Sequence, residues 1–180
     1  MIDMDERFGF IREKLDIKIL ILFILRHLPE AVSFDTLTEL TLCDDGISYF
    51  DFSECLEELV QTGHVSTNGL TYAITEKGVK NGTVTESGIP YSVRIKAEKK
   101  VTALSRALTR NSMISTAQTI RRGGGYTVTL SLSDGVGEIV SMDVFAINEA
   151  QANALEQGFI KNAEGIYNKL IDMILEEEPS

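Results

Sequence analysis

Metal and redox chemistry have little to work with in this chain of 180 residues, which holds 2 cysteines and 2 histidines. Cys43 and Cys55 form no Cys-x-x-Cys pair and read as small buried hydrophobes. His27 and His64 are too few and too separated in sequence to outline a metal site. With 3 prolines and 14 glycines, collagen-like and low-complexity architectures are excluded. The longest apolar run, Ile19–Leu25, is far shorter than the ~20 residues of a membrane span. Asp3, Asp5 and Glu6 make the start acidic where a secretory signal would be basic. The expectation is a cytoplasmic protein with no membrane partner.

What is present is the composition of a folded domain: 43% hydrophobic and 24% charged residues. The length suits one ordinary domain or two small ones. The net charge of −10 conceals a pattern along the chain. Residues 1–88 carry 7 Lys and Arg against 16 Asp and Glu, and residues 126–180 carry 2 against 10. Between them, residues 89–125 carry 8 against 1. One basic segment lies between two acidic ones, and a polyanion meets local charge first.

Residues 17–28 are apolar apart from Lys18, Arg26 and His27, and Pro29 ends the run, which predicts a buried helix. Ser33 is an N-cap for a second helix over 34–43. A third is expected from Asp51, where Asp51-x-x-Glu54 resembles a capping box and Phe52, Leu56, Leu59 and Val60 form an apolar stripe. Asn68-Gly69 between β-prone runs signals a hairpin, and Thr75 caps a further helix. Helix, helix, helix, hairpin, helix is the order of a winged helix-turn-helix. From Pro90 to about Arg110, Ile95, Val101, Leu104 and Leu108 recur at helical spacings. Strands are expected over 113–120, 126–132 and 138–147, and Asn148 caps a long last helix. Altogether the pattern is α+β: a winged-helix domain over 1–88, a basic linker helix over 89–110, and over 111–180 a small antiparallel sheet with a long C-terminal helix.

The stretch Tyr72-Ala73-Ile74-Thr75-Glu76-Lys77-Gly78 resembles the wing-to-helix junction of PadR-like and MarR-like bacterial regulators. Four stretches together resemble a bacterial family of unassigned function with a winged-helix N-terminal half: Lys18–Leu25, Tyr49-Phe50, Ile89-Pro90-Tyr91-Ser92-Val93-Arg94 and Asn162–Ile174. The resemblance implies a winged-helix fold and, by analogy, a regulator.

A regulator that reads the major groove turns Arg, Lys, Asn or Gln of its third helix toward base edges. Here residues 51–62 offer Asp51, Glu54, Glu57 and Glu58 and no Lys or Arg, and the hairpin tip Thr67-Asn68-Gly69 is uncharged. Double-stranded DNA would therefore be held mainly through phosphate contacts from Arg94, Lys96, Lys99 and Lys100, with Ser53, Gln61 and Asn68 as base readers. Such a regulator is expected to be a homodimer, with the last helix as a candidate interface. The alternative is a protein-interaction module whose Asp51, Glu54, Glu57 and Glu58 face a basic partner. Chemistry beyond binding is not expected. Gly123-Gly124-Gly125 lacks the Gly-Lys-Ser/Thr ending of a phosphate loop and reads as a turn. Glu57-Glu58 and Glu176-Glu177-Glu178 are adjacent, and neighbouring helix positions do not face each other. With no triad or ligand set around His64, the chain reads as a non-enzyme without metal or cofactor.

Overall fold

A computed structural model of the chain describes Ile11 and residues 13–176. The acidic start and the end of the glutamate tail lie outside the described residues. The fold is α+β, with six helices and two three-stranded antiparallel sheets among the described residues. It divides into two compact units, the first ending at Leu108 and the second beginning at Thr109. No described helix is long and apolar enough to cross a membrane.

The first unit is built around α1 (Lys14–Arg26), in which Ile17 and every residue of Ile19–Leu25 are buried. A helix that is apolar all round must be surrounded, and α2 (Phe34–Thr41), α3 (Tyr49–Gln61) and α4 (Glu76–Thr85) pack against it. Arg26, at its last turn, is satisfied by Thr83 and Glu86. Ser33 caps α2 by accepting the Thr36 N–H at 3.2 Å. The third helix starts two residues earlier than the sequence suggests. Ser48, not Asp51, is the N-cap: its Oγ accepts the Asp51 N–H at 3.1 Å and donates to Asp51 Oδ2 at 2.6 Å. Asp51 thus stands at the third position of the helix and answers the cap through the Ser48 hydroxyl.

The hairpin of β2 (Val65–Thr67) and β3 (Thr71–Ile74) turns at Asn68-Gly69. Asn68 Oδ1 accepts from the N–H groups of Leu70 and Thr71 and from Thr71 Oγ1, and Gly69 takes the left-handed φ of +88° that such a turn requires. A strand the sequence does not announce, β1 (Val32–Ser33), pairs with Tyr72 and Thr71 and makes the sheet order β1-β3-β2. Two residues show no periodicity, and the cap role of Ser33 hides the pairing. Residues 89–110, read from sequence as a basic linker helix, are helical as α5 (Tyr91–Ser112), and its Val93, Ala97 and Val101 join the first core. The unit's buried acid is Asp44, which accepts the Ile11 N–H at 3.1 Å.

In the second unit, β4 (Ile114–Ile120), β5 (Tyr126–Ser133) and β6 (Glu138–Ala146) form an antiparallel meander in that order. Alternation in β5 sends Val128, Leu130 and Leu132 to one face, which α6 (Glu149–Leu175) covers with Ala152, Phe159 and Ala163. Asn148 caps α6 by accepting the Gln151 N–H at 2.8 Å. Asn162 leaves the helical region (φ −139°, ψ 29°) and bends the helix. The glycine run lies in the hairpin loop between β4 and β5, which excludes the strand-to-helix setting of a phosphate loop.

Candidate functional site

The surface of α3 and the β2–β3 hairpin is where a three-helix unit with this sheet offers side chains outward. One side of α3 buries Phe52, Cys55, Leu56 and Leu59. Two of its four carboxylates turn toward α1. Lys14 Nζ lies 2.6 Å from Glu54 Oε1, and Lys18 pairs with Glu58. Residues four apart share a helix face, so Lys14 and Lys18 meet Glu54 and Glu58 in the same order, and the two helices run in the same direction where they touch. Glu58 is held below its ordinary pKa, chiefly by the hydrogen bond from Lys18. These two acids do not stand ready for a basic partner, because α1 already supplies their cations.

Lys18→Met is expected to return the Glu58 pKa toward the ordinary carboxylate value, read by side-chain carboxyl NMR across an acid titration. A depressed folded pKa favours the fold above the unfolded value, and that contribution is lost as pH falls through the folded one. The variant should therefore lose part of the acid-side slope of stability. An unchanged Glu58 titration would show that the pair is not formed.

The outward side carries Tyr49, Phe50, Glu57 and Gln61. Phe50 is 81% exposed, Tyr49 50%, and Leu70 at the hairpin tip 79%. Aromatic contacts link this edge inward, with Phe34 5.5 Å from Phe52 and 6.1 Å from both Tyr49 and Tyr72, ring centre to ring centre. Between α3 and the hairpin runs a groove of about 360 Å³ lined by Phe34, Leu56, Val60 and Tyr72, with Ser53, Glu57 and Thr67.

The residues proposed as base readers fare differently. Ser53 Oγ is buried and has no hydrogen-bond partner, so it cannot reach a base edge as it stands. Gln61 is exposed, and its Nε2 donates to Glu57 Oε1 at 3.2 Å. Asn68 has its carbonyl oxygen occupied by the turn, leaving only the amide NH₂. Among the phosphate candidates, Lys96 lies 3.7 Å from buried Asp44. Lys100 Nζ donates to the Glu39 carbonyl at 3.1 Å, answering a free carbonyl in the last turn of α2. Arg94 is half-buried, with its guanidinium 5.7 Å from the Tyr91 ring centre. Lys99 and Arg106 are exposed on one stretch of α5 beside Ile95, Thr102 and Ala103, and neither has a partner among the described residues. The structure thus brings Lys96 and Lys100 together as structural cations and leaves Lys99 and Arg106 for solvent.

His64 is held by local bonds, with Nδ1 2.8 Å from Thr62 Oγ1 and Nε2 2.7 Å from the Asn81 amide. Burial, then Lys77, pushes its pKa down. Burial raises the thiol pKa of both Cys43 and Cys55. Among the described residues no three His, Cys, Asp or Glu side chains are grouped to hold a metal ion. Sequence reasoning missed the exposed Tyr49, Phe50 and Leu70, since exposure of an apolar residue at a helix start has no periodic signature. The i, i+4 match of Lys14 and Lys18 with Glu54 and Glu58 was a signal that could have been used.

No curated protein and no solved structure matches the chain. A family model described as a domain of unknown function, DUF4364, matches residues 17–174, and the chain belongs to that family.

Proposed function

We propose that the first unit is a winged helix-turn-helix module of a regulatory protein, and that the open face of α3 and its hairpin binds another protein. The element order α1, β1, α2, α3, β2, β3, α4 and the sheet order β1-β3-β2 support the winged-helix reading. The observation that carries the function is the exposure of Phe50, with Tyr49 and Leu70, on a face where neither α3 nor the hairpin has a Lys or Arg. Aromatic side chains that lose water at an interface dominate binding energy, whereas Asp51 and Glu57 repel phosphates. The role is binding rather than catalysis.

Duplex DNA is the second reading, favoured by Lys99 and Arg106. Two neutralised phosphates give a salt slope of about −2, far shallower than that of the 6–10 contacts of strong DNA binders. Phosphate contacts from α5 of one chain are therefore a weak anchor.

The test places a benzophenone photocrosslinking amino acid at position 50 of the full chain in its own host, with exposed Gln157 as the control position. A discrete protein adduct at 50, absent at 157, is expected. Phe50→Ala should weaken binding to the captured protein about 30-fold, as loss of ~2 kcal/mol at a hot spot does. DNA adducts instead, together with sequence-selective duplex binding that Lys99→Glu and Arg106→Glu abolish, would replace this reading with the DNA one.

A further inference from the structure

Resting on the protein-binding reading of the α3 face, we propose that the groove between α3 and the hairpin takes one arginine side chain of the partner protein. Its lining includes the half-buried rings of Phe34 and Tyr72, whose centres lie 6.1 Å apart, together with Leu56 and Val60. At about 360 Å³ it is at the small end of ligand sites, sized for one long side chain rather than a folded element.

The charge of the lining selects the guest. Of the four carboxylates of α3, three are answered within the chain: Asp51 by the Ser48 hydroxyl at 2.6 Å, Glu54 by Lys14 and Glu58 by Lys18. The fourth, Glu57, is the one that lines the groove. It accepts a neutral hydrogen bond from Gln61 at 3.2 Å and has no cation among the described residues. Neither α3 nor the hairpin carries a Lys or Arg that could reach it. The remaining polar groups of the lining are hydroxyls. Thr67 Oγ1 accepts the Gly69 N–H at 3.0 Å, and Ser53 Oγ is buried without a partner. An unpaired buried hydroxyl is costly, and a donor brought into the groove satisfies it after a change of the serine rotamer.

A carboxylate beside two hydroxyls calls for a guest rich in donors. Leucine or phenylalanine would cover the apolar lining but would strip water from Glu57 with nothing in return. Lysine brings a strongly hydrated point charge and no flat surface. Arginine supplies each thing the lining lacks. Its stem packs on Leu56 and Val60, its planar cation lies against the Phe34 and Tyr72 rings, and its fork of N–H groups meets the Glu57 carboxylate.

The test adds blocked alanine pentapeptides with a central arginine, citrulline, lysine or leucine to the purified full chain. In NMR spectra the arginine peptide is expected to shift the Leu56 and Val60 methyl signals and the Tyr72 ring signals. Its own side-chain methylene protons should move upfield beneath the two rings. Citrulline keeps the shape of arginine without its charge and should not bind at the same concentration, and lysine should bind more weakly. Glu57→Gln should weaken arginine binding about tenfold, as loss of a charge-assisted hydrogen bond does. Glu39→Gln, an equal loss of charge on α2, should leave it unchanged. Both acids are exposed, and an otherwise unaltered spectrum shows that each variant is folded. The proposal is overturned if the arginine peptide leaves the groove signals unmoved, if citrulline or leucine binds as well, or if Glu57→Gln binds as tightly as the original chain. Any of these results beside a protein adduct at position 50 strikes the arginine and leaves the protein-binding face; absence of the adduct strikes the face itself.

Discussion

Gly78→Ala is expected to destabilise the first unit by about 3 kcal/mol, the upper range for overpacking a filled site. Gly78 is buried in α4, one turn after the Thr75 cap. A Cβ there would lie 2.2 Å from the His64 carbonyl oxygen and 2.7 Å from Ile74 Cγ1. The first of these is backbone, held in place because His64 O accepts both the Thr75 N–H and the Thr75 hydroxyl at 3.0 Å. That carbonyl cannot swing aside, so α4 must move off the hairpin or the cap must break. Two other helical glycines serve as controls. Gly82→Ala would meet Leu22 Cβ at 3.4 Å, a tight contact offset by the better helix propensity of Ala, and should be close to neutral. Gly158→Ala, in α6 with nothing within 4 Å, should stabilise by about 0.8 kcal/mol. Urea midpoints for the three variants check the order; a neutral Gly78→Ala would show that α4 is not docked on the hairpin as described.

Phe159→Ala should cost about 3–5 kcal/mol, the usual loss for a fully buried phenylalanine. Phe159 is 1% exposed and is the largest fully buried side chain of α6 on the second sheet. Its neighbours on that face, Ala152 and Ala163, are small and cannot fill the space left behind. The two units have separate cores, so the loss should be local. Hydrogen exchange at the amides of Val128 and Leu130 should accelerate by orders of magnitude, while that of Leu20 and Ile21 in α1 should change little. Equal acceleration at both would mean that the units unfold as one.

Much of the local structure is legible in the sequence because its causes lie within four residues. Ser33, Thr75 and Asn148 are N-caps in sequence and in structure, each accepting an N–H three residues on. The Asn68-Gly69 hairpin and the alternation of β5 belong to the same class. Where two local signals compete, the reading slips. Asp51 reads as the cap of α3, yet the cap is Ser48, three residues earlier, which takes the Asp51 N–H and gives its hydroxyl to the Asp51 carboxylate. The bend in α6 also had a local trace: Asn162 is followed by Gly165, where a Cβ would collide with the Asn162 side chain at 2.3 Å.

The candidate site was less legible, because its charges are decided by partners distant in sequence. From composition alone α3 is acidic and α5 basic. Yet Glu54 and Glu58 are answered from α1, 40 residues earlier, and Lys96 and Lys100 are spent on Asp44 and on the Glu39 carbonyl. Ser53 looked like an exposed donor until the rotation of α3 against the hairpin buried its hydroxyl.

By itself the sequence determined the class of the fold, the order of its elements and most of their caps, because periodicity and capping act over single turns of chain. Only the tertiary structure decided which charges remain free, that the basic helix lends its apolar stripe to the first core, and that β1 exists at all. Those outcomes depend on side chains tens of residues apart meeting at a few ångströms, and no local pattern records that meeting.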